Sequence, residues 1–280
     1  MVWPFGAFLC PPGFTAPRGV GVIARDVAAV SEAARLVRRT AVDAAKDRLP
    51  TCGHRAQAEA AHTQGPVVLV PGFMAGDATL LLLSRHLRRL GYRTYRSRIR
   101  ANVGCTAEAG EALERRIERL VEQRGEKATL IGHSLGGLMA RAVAAERPDL
   151  VDGIVTLGSP MLAPGAVHRL LALDLALLVA LQRVGVGALM GIDCTSGECA
   201  RASWERARAV LNPSVAFTSV FSRRDGIVDW RSCLDPGADA VEVSSSHLGM
   251  AVDPQVFDLV AGVIAEQRSR SLDLTSRRAS

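Results

Sequence analysis

The sequence predicts an α/β domain: a mostly parallel sheet with helices on both faces and a helical insertion late in the chain. Three observations predict it. Short β-branched runs such as Pro66–Val70 (PVVLV) lack polar alternation, as strands buried on both faces do. Stretches of helical period lie between such runs, and the connections are short. That alternation makes a sheet covered on both sides, with ligands beyond the carboxyl ends of its strands.

Residues 19–48 read as one Ala/Val/Arg-rich helix and 49–65 as a polar linker, so 1–65 form an N-terminal helical extension and linker. The main domain covers 66–267. After its first strand, Asp77 is expected to cap a helix in which Leu80, Leu83, Leu87 and Leu90 share a face, and Gly91 ends it. Tyr92–Arg98 reads as a second strand. Thr106–Arg124 is a helix with Leu113, Ile117, Leu120 and Val121 on one face. Strands are expected over Ala128–Ile131 and Gly153–Leu157, with a helix over Ser134–Arg147 between them. Residues 161–213 form a mostly helical insertion, followed by strands over Val215–Phe221 and Ala240–Val243. Asp253 and Pro254 open a last helix, and 268–280 is expected to be a loose polar tail.

Of the 280 residues, 48% are apolar and 22% charged, which supports a sizeable core and excludes wholesale disorder and a disulfide-dense miniprotein. The net charge of +6 rests on arginines spread along the chain. A nucleic-acid reader would gather them on one face, so no nucleic-acid partner is expected. None of the six cysteines forms CxxC, which removes zinc-ribbon and thioredoxin-type readings. Cys194 and Cys199 read as small hydrophobic thiols, with a bridge across a small loop as the alternative. The opening MVWPFGAFL is apolar, but no basic residue precedes Arg18, and Pro4, Gly6, Pro11 and Pro12 interrupt it. It is not a standard signal peptide. Trp3, Phe5, Phe8 and Phe14 are expected to pack on the domain. Leu170–Leu181 is too short to span a membrane. The expected location is cytoplasmic or peripherally membrane-associated.

Gly132-His133-Ser134-Leu135-Gly136-Gly137 fits G-x-S-x-G and lies between a strand and a helix. A turn that tight holds the serine hydroxyl exposed in a strained backbone conformation, and glycines must flank it because a Cβ would collide with neighbouring backbone. A phosphate-binding loop is excluded, since no GxxxxGK[ST] is present. A serine hydroxyl needs a base to become nucleophilic. Of six histidines, His247 lies in the loop before the last helix, at the sheet edge where Ser134 opens. His133 neighbours the serine but points elsewhere in such a turn, and His54, His62, His86 and His168 lie off that edge. The imidazole in turn needs a carboxylate on its far nitrogen. Asp225, directly after the fifth strand, is preferred to Asp229. Ser134…Asp225…His247 follows the hydrolase order of such motifs rather than either serine-protease order. The backbone N–H groups of Leu135 and Phe73, with Met74 as alternative to Phe73, are expected to hold the developing oxyanion.

From Pro66 to about Ala265 the chain resembles α/β-hydrolase-fold bacterial lipases and esterases, through PVVLVPGF, TLIGHSLGGLMAR, IVTLGSP, FTSVFSRRDGIVDW and SSSHLGM. The resemblance implies a serine carboxyl-ester hydrolase, with no metal or organic cofactor. Two departures stand out: Pro71-Gly72 replaces the His-Gly many members carry, and the secretion signal common in the family is not found. In this fold the 161–213 position carries a cap or lid. Its Leu-rich helix is apolar on nearly every face, which suits either an acyl-binding lid that opens at a lipid surface or a cap that only packs on the sheet. Apolar acyl esters or lipids are the expected substrates. Acyl transfer by the same residues, or lipid binding without catalysis, are the alternatives.

Overall fold

Val67 and Leu69 face one apolar layer and Val68 and Val70 the other, so β1 (Val67–Val70) is buried on both sides. The computed structural model describes residues 6–46 and 65–279. The remaining strands are β2 (Thr94–Arg96), β3 (Ala128–His133), β4 (Val151–Leu157), β5 (Ala216–Phe221) and β6 (Asp239–Glu242). They form one sheet in the order β2-β1-β3-β4-β5-β6, and every neighbouring pair is parallel. The chain leaves β1 in one direction to β2 and later returns to the other side at β3. That reversal makes a crevice at the carboxyl ends of β1 and β3, where ligands of doubly wound sheets sit.

Seven helices matter here: α1 (Ala28–Lys46), α2 (Leu81–Arg89), α3 (Thr106–Arg124), α4 (Leu135–Glu146), α5 (Arg169–Arg183), α6 (Glu198–Arg208) and α7 (Pro254–Ala279). On one face of the sheet, Leu113, Ile117 and Leu120 of α3 and Met139 and Val143 of α4 cover Val68, Leu130 and Ile154. On the other, Leu83 and Leu87 of α2 and Val256, Phe257 and Ile264 of α7 cover Val67, Ile131 and Val155. Leu36 of α1 joins this second layer. Among the described residues no helix is long and apolar enough to cross a membrane.

Three expectations need correcting. Asp77 does not cap its helix; the N-cap of the 3-10 turn Asp77–Leu80 is Gly76. The Asp77 carboxylate instead accepts from Ser97 N at 3.1 Å, Ser97 Oγ at 2.7 Å and Arg98 N at 3.0 Å. It thereby holds Arg98 at a φ of 73°, a conformation that costs energy in a residue with a Cβ. Residues 19–48 are not one helix. A short helix Val20–Ile23 passes into a 3-10 turn Ala24–Val27 before α1 begins, and that tighter turn carries Asp26 into the interior. The stretch from Arg268 is no loose tail, because α7 continues to Ala279. Gln267 Nε2 donates to Ile154 O at 3.2 Å and Thr218 Oγ1 at 3.1 Å, and Arg268 Nη2 donates to Gly65 O at 2.9 Å. Polar side chains buried at that point hold the helix on the sheet.

The N-terminal aromatics divide. Phe8 packs 6.0 Å from the Trp204 ring, with the Arg201 guanidinium 4.4 Å above it, and Leu9 is buried. Trp3 and Phe5, with Cys52, His54, His62 and most of the expected linker, lie outside the described residues. Phe257 is the largest fully buried side chain. Phe257→Ala should cost about 3–5 kcal/mol of stability, read as a lower urea midpoint at unchanged m.

Candidate active site

Ser134 follows β3 directly and opens α4, with φ 52° and ψ −122°. This is one of three described non-glycine residues at positive φ, and such strain persists only where the surroundings enforce it. They do so through the flanking glycines. A Cβ on Gly132 would lie 2.4 Å from Gly137 Cα, and one on Gly136 would lie 2.2 Å from Val70 O. Neither position admits a side chain, so the turn is locked against β1.

His247 and Asp225 meet in the interior. His247 Nδ1 donates to Asp225 Oδ2 at 2.6 Å, and both side chains are buried. The second oxygen of Asp225 accepts from Ile227 N at 2.9 Å and Val228 N at 2.7 Å, which fixes the carboxylate plane. Asp229 is turned the other way, onto Arg231 Nη2 at 2.8 Å and Thr15 N at 3.0 Å. Despite its burial, these partners draw its pKa below the ordinary carboxylate value. The carboxyl end of β4 joins the pair to the serine. Leu157 O accepts from Ser134 N at 2.9 Å, while a Cβ on Gly158 would stand 3.0 Å from His247 Nδ1 and 3.2 Å from Asp225 Oδ2. The Ser134 hydroxyl itself makes no hydrogen bond to the described residues; it faces the adjoining pocket.

Burial alone would lower the His247 pKa. The Asp225 charge, the hydrogen bond to it and the Asp26 charge outweigh burial, and the net displacement is upward. His133 goes the other way: burial, then the neighbouring His247, bring it down to about 4. A neutral His133 donates from Nε2 to His247 O at 3.0 Å, with its ring 4.9 Å from that of His247. The residue beside the serine therefore braces the His247 loop.

The turn after β1 presents its amides to the same place. Met74 N is spent on Asn102 O at 3.0 Å. The N–H groups of Phe73 and Leu135 have no acceptor among the described residues, and both residues line the pocket with Ser134. Asn102, which the sequence reading did not single out, ties this turn down. Its Nδ2 donates to Pro71 O at 3.1 Å and its backbone N to Ala75 O at 2.9 Å. The pocket has a cavity volume of about 130 Å³, and its walls include Leu138, Leu171, Leu175 and Trp204.

A second set of residues was invisible in the sequence because it sits in the N-terminal extension. Asp26 Oδ1 accepts from Leu248 N at 3.0 Å and Oδ2 from Gly226 N at 3.2 Å, so one carboxylate spans the loops of His247 and Asp225. Burial first, and the Asp225 charge, raise its pKa against the pull of those amides and of His247. Glu32 of α1 accepts from Ser246 N at 2.9 Å and Ser246 Oγ at 2.7 Å. Arg35 pairs with Asp253 at 2.7 Å, and Asp253 accepts from Ser245 Oγ at 2.7 Å. The 3-10 turn and the first turns of α1 thus grip the His247 loop. No spacing rule links residues 26 and 32 to a loop 200 positions away.

Residues 65–183 match the family model described as the alpha/beta hydrolase fold. A triacylglycerol lipase of Vibrio cholerae is 34% identical over 102 residues, covering 34% of this chain and 32% of that protein. The chain thus spans about a third of the length of that relative. Among solved structures, the mature form of a Bacillus licheniformis lipase superposes with a TM-score of 0.57 at 12% identity, over 72% of this chain and 92% of its own. A structure from a pair of metagenome-derived lipolytic enzymes gives 0.53 at 16%, over 74% and 94%. Tomato methylketone synthase I, complexed with 2-tridecanone, gives 0.50 at 15%, over 73% and 99%. At these identities the likeness is one of fold.

Glu32→Ala would strip Ser246 of two charge-assisted hydrogen bonds inside the protein. The expected loss is about 1.5–3 kcal/mol of stability per such bond at most; a melting temperature equal to that of the unaltered protein would contradict the clamp.

Proposed function

Because the chain has the α/β-hydrolase fold, we propose that it is a serine carboxyl-ester hydrolase of the lipase/esterase kind. Ser134 is its nucleophile, His247 its base and Asp225 the carboxylate that orients the base. The observation that carries this reading is the buried 2.6 Å pair of His247 and Asp225 beside a serine held at positive φ. Substrate enters the apolar pocket with its ester carbonyl between Ser134 and the free amides of Phe73 and Leu135. As the Ser134 Oγ attacks the carbonyl carbon, its proton passes to His247 Nε2, a contact that tightens only in the substrate complex. Asp225 stabilises the imidazolium through Nδ1–H without taking the proton. The two amides hold the oxyanion, and they need no reorganisation because they are already without acceptors. The imidazolium then protonates the departing alcohol, leaving an acyl-Ser134. Water, deprotonated by His247, attacks that ester and restores the hydroxyl.

Apolar acyl chains are the substrate class that the pocket favours. One face of α5 lines it through Leu171 and Leu175, while Leu170, Leu173 and Leu177 on the outside are 49%, 47% and 59% exposed. An apolar wall within and an apolar stripe without suit a substrate delivered from a lipid surface. A series of p-nitrophenyl esters should show kcat/KM rising with acyl length. A flat or falling series would restrict the reading to short esters.

Ser134→Ala should abolish acyl-enzyme formation and turnover, and a retained burst would remove the assignment. Asp225→Asn should lower kcat by about 10⁴, the loss typical of a triad acid, while Asp229→Asn leaves it within a few-fold. The base works only when neutral, and the raised pKa of His247 means it becomes neutral later as pH rises. The acid limb of kcat/KM should therefore lie above the ordinary histidine range; a limb below it would assign the base elsewhere.

A further inference from the structure

Three cysteines far apart in sequence converge where the cap meets the body. Cys105 is the N-cap residue of α3, Cys194 lies in the one-turn helix Asp193–Ser196, and Cys199 is in the first turn of α6. Their sulfurs all lie within 4.8 Å of one another, with Cys105 Sγ and Cys199 Sγ 3.5 Å apart. All three are partly buried, and all are thiols in this structure. A zinc–thiolate bond of about 2.3 Å in a tetrahedral site sets sulfur–sulfur separations of about 3.8 Å. The cluster is already close to that spacing.

We propose that Cys105, Cys194 and Cys199 form a three-thiolate site for a soft d¹⁰ cation of the Zn²⁺ class, which pins the cap to the first turn of α3. Three sulfurs and no hard oxygen donor select such ions over Mg²⁺ or Ca²⁺. A disulfide would use two of the sulfurs and leave the third without a role. As the sulfurs coordinate a cation, the thiol protons leave to solvent. Thr106, Ala107, Cys194 and Thr195 also line the pocket that Ser134 faces, so the cation would hold one wall of that pocket in place.

The site can be read without ester hydrolysis, so its failure would leave the Ser134 assignment standing. The full chain, kept reduced by a phosphine and freed of metal, is titrated with Co²⁺. One equivalent should produce thiolate-to-cobalt charge-transfer absorption, and Zn²⁺ should displace it. Losing an outer-shell partner already costs about 10–100-fold in metal affinity. Each of Cys105→Ser, Cys194→Ser and Cys199→Ser, which remove a ligand itself, should therefore weaken binding by at least about 100-fold. On the unaltered protein, Zn²⁺ should slow alkylation of these three cysteines by at least tenfold, about the smallest effect expected of coordination, and leave Cys10 unchanged. That arm does not depend on the variants folding. Absence of the charge-transfer band, cobalt binding unaffected by the serine changes, or alkylation indifferent to Zn²⁺ would each overturn the proposal. So would a disulfide between two of the three whose reduction restores no cation uptake.

Discussion

The approach of Gly136 to the carbonyl ends of Val70 and Pro71 governs the geometry of the site. An added Cβ would fall 2.2 Å from one oxygen and 2.6 Å from the other. Backbone contact this close brings the start of α4 against the turn after β1, so two consequences share one cause. The chain must leave β3 through a turn sharp enough to put Ser134 at positive φ. The amides of Phe73 and Leu135, from segments more than sixty residues apart, are also brought to one pocket. Moving either segment back by the width of a methyl group would relax the serine and separate the amides together. Strain and preorganisation are here the same constraint seen from two sides.

The imidazole is positioned by a different principle. His247 lies in a loop that receives little support from the sheet, since β6 is a short edge strand with exposed side chains. Support comes from buried charge: Asp225 on the ring, Asp26 and Glu32 on the flanking amides, and His133 on the carbonyl. Two of these carboxylates come from the N-terminal extension. An ionised carboxylate is costly to bury unless hydrogen bonds surround it; Glu32 finds them in the His247 loop, and Asp26 finds one there and one in the Asp225 loop. The loop and the extension therefore order each other.

Legibility in the sequence follows the range of each interaction. The bend at Ser134 could be read because all its requirements, a strand, two glycines and a helix, lie within about twenty consecutive residues. The same is true of α3, whose sequence-derived bounds match those observed. The choice of Asp225 over Asp229 was harder, since both follow β5 within eight residues; what separates them is the presence of Arg231 beside the latter and of two amides beneath the former. Asp77 misled because an acid before a leucine-rich helix is the usual cap. A more demanding neighbour, Arg98 at φ 73°, took its carboxylate. Asp26, Glu32 and the meeting of Cys105 with Cys194 and Cys199 could not be read at all. Nothing local marks a residue whose partner is ninety or two hundred positions away, and in one sequence Asp26 and Glu32 look like the polar face of a surface helix.

The cap shows how such long-range ties leave one part free. Polar contacts fix it at several points: Gly165 N to Leu9 O at 2.7 Å, His168 N to Ile227 O at 2.7 Å, Met190 N to Val103 O at 2.8 Å, and Arg206 to Glu146 at 2.5 Å. Between Arg169 and Arg183, among the described residues, no α5 side chain makes a hydrogen bond or ion pair to the rest; only its N-cap His168 accepts from Leu170 N, at 3.2 Å. The helix is held there by its apolar side chains, Ala172, Leu175 and Val179 buried and Leu171 packed against Val167, Phe221 and Val228. Apolar contact is non-directional and proportional to area, so an acyl chain or a lipid surface can substitute for it without leaving polar groups unsatisfied. Hydrogen bonds could not be exchanged in that way, because each donor would need a new acceptor of matching geometry. A cap anchored by polar contacts at its ends and by apolar contact in its middle is thus held least directionally at α5.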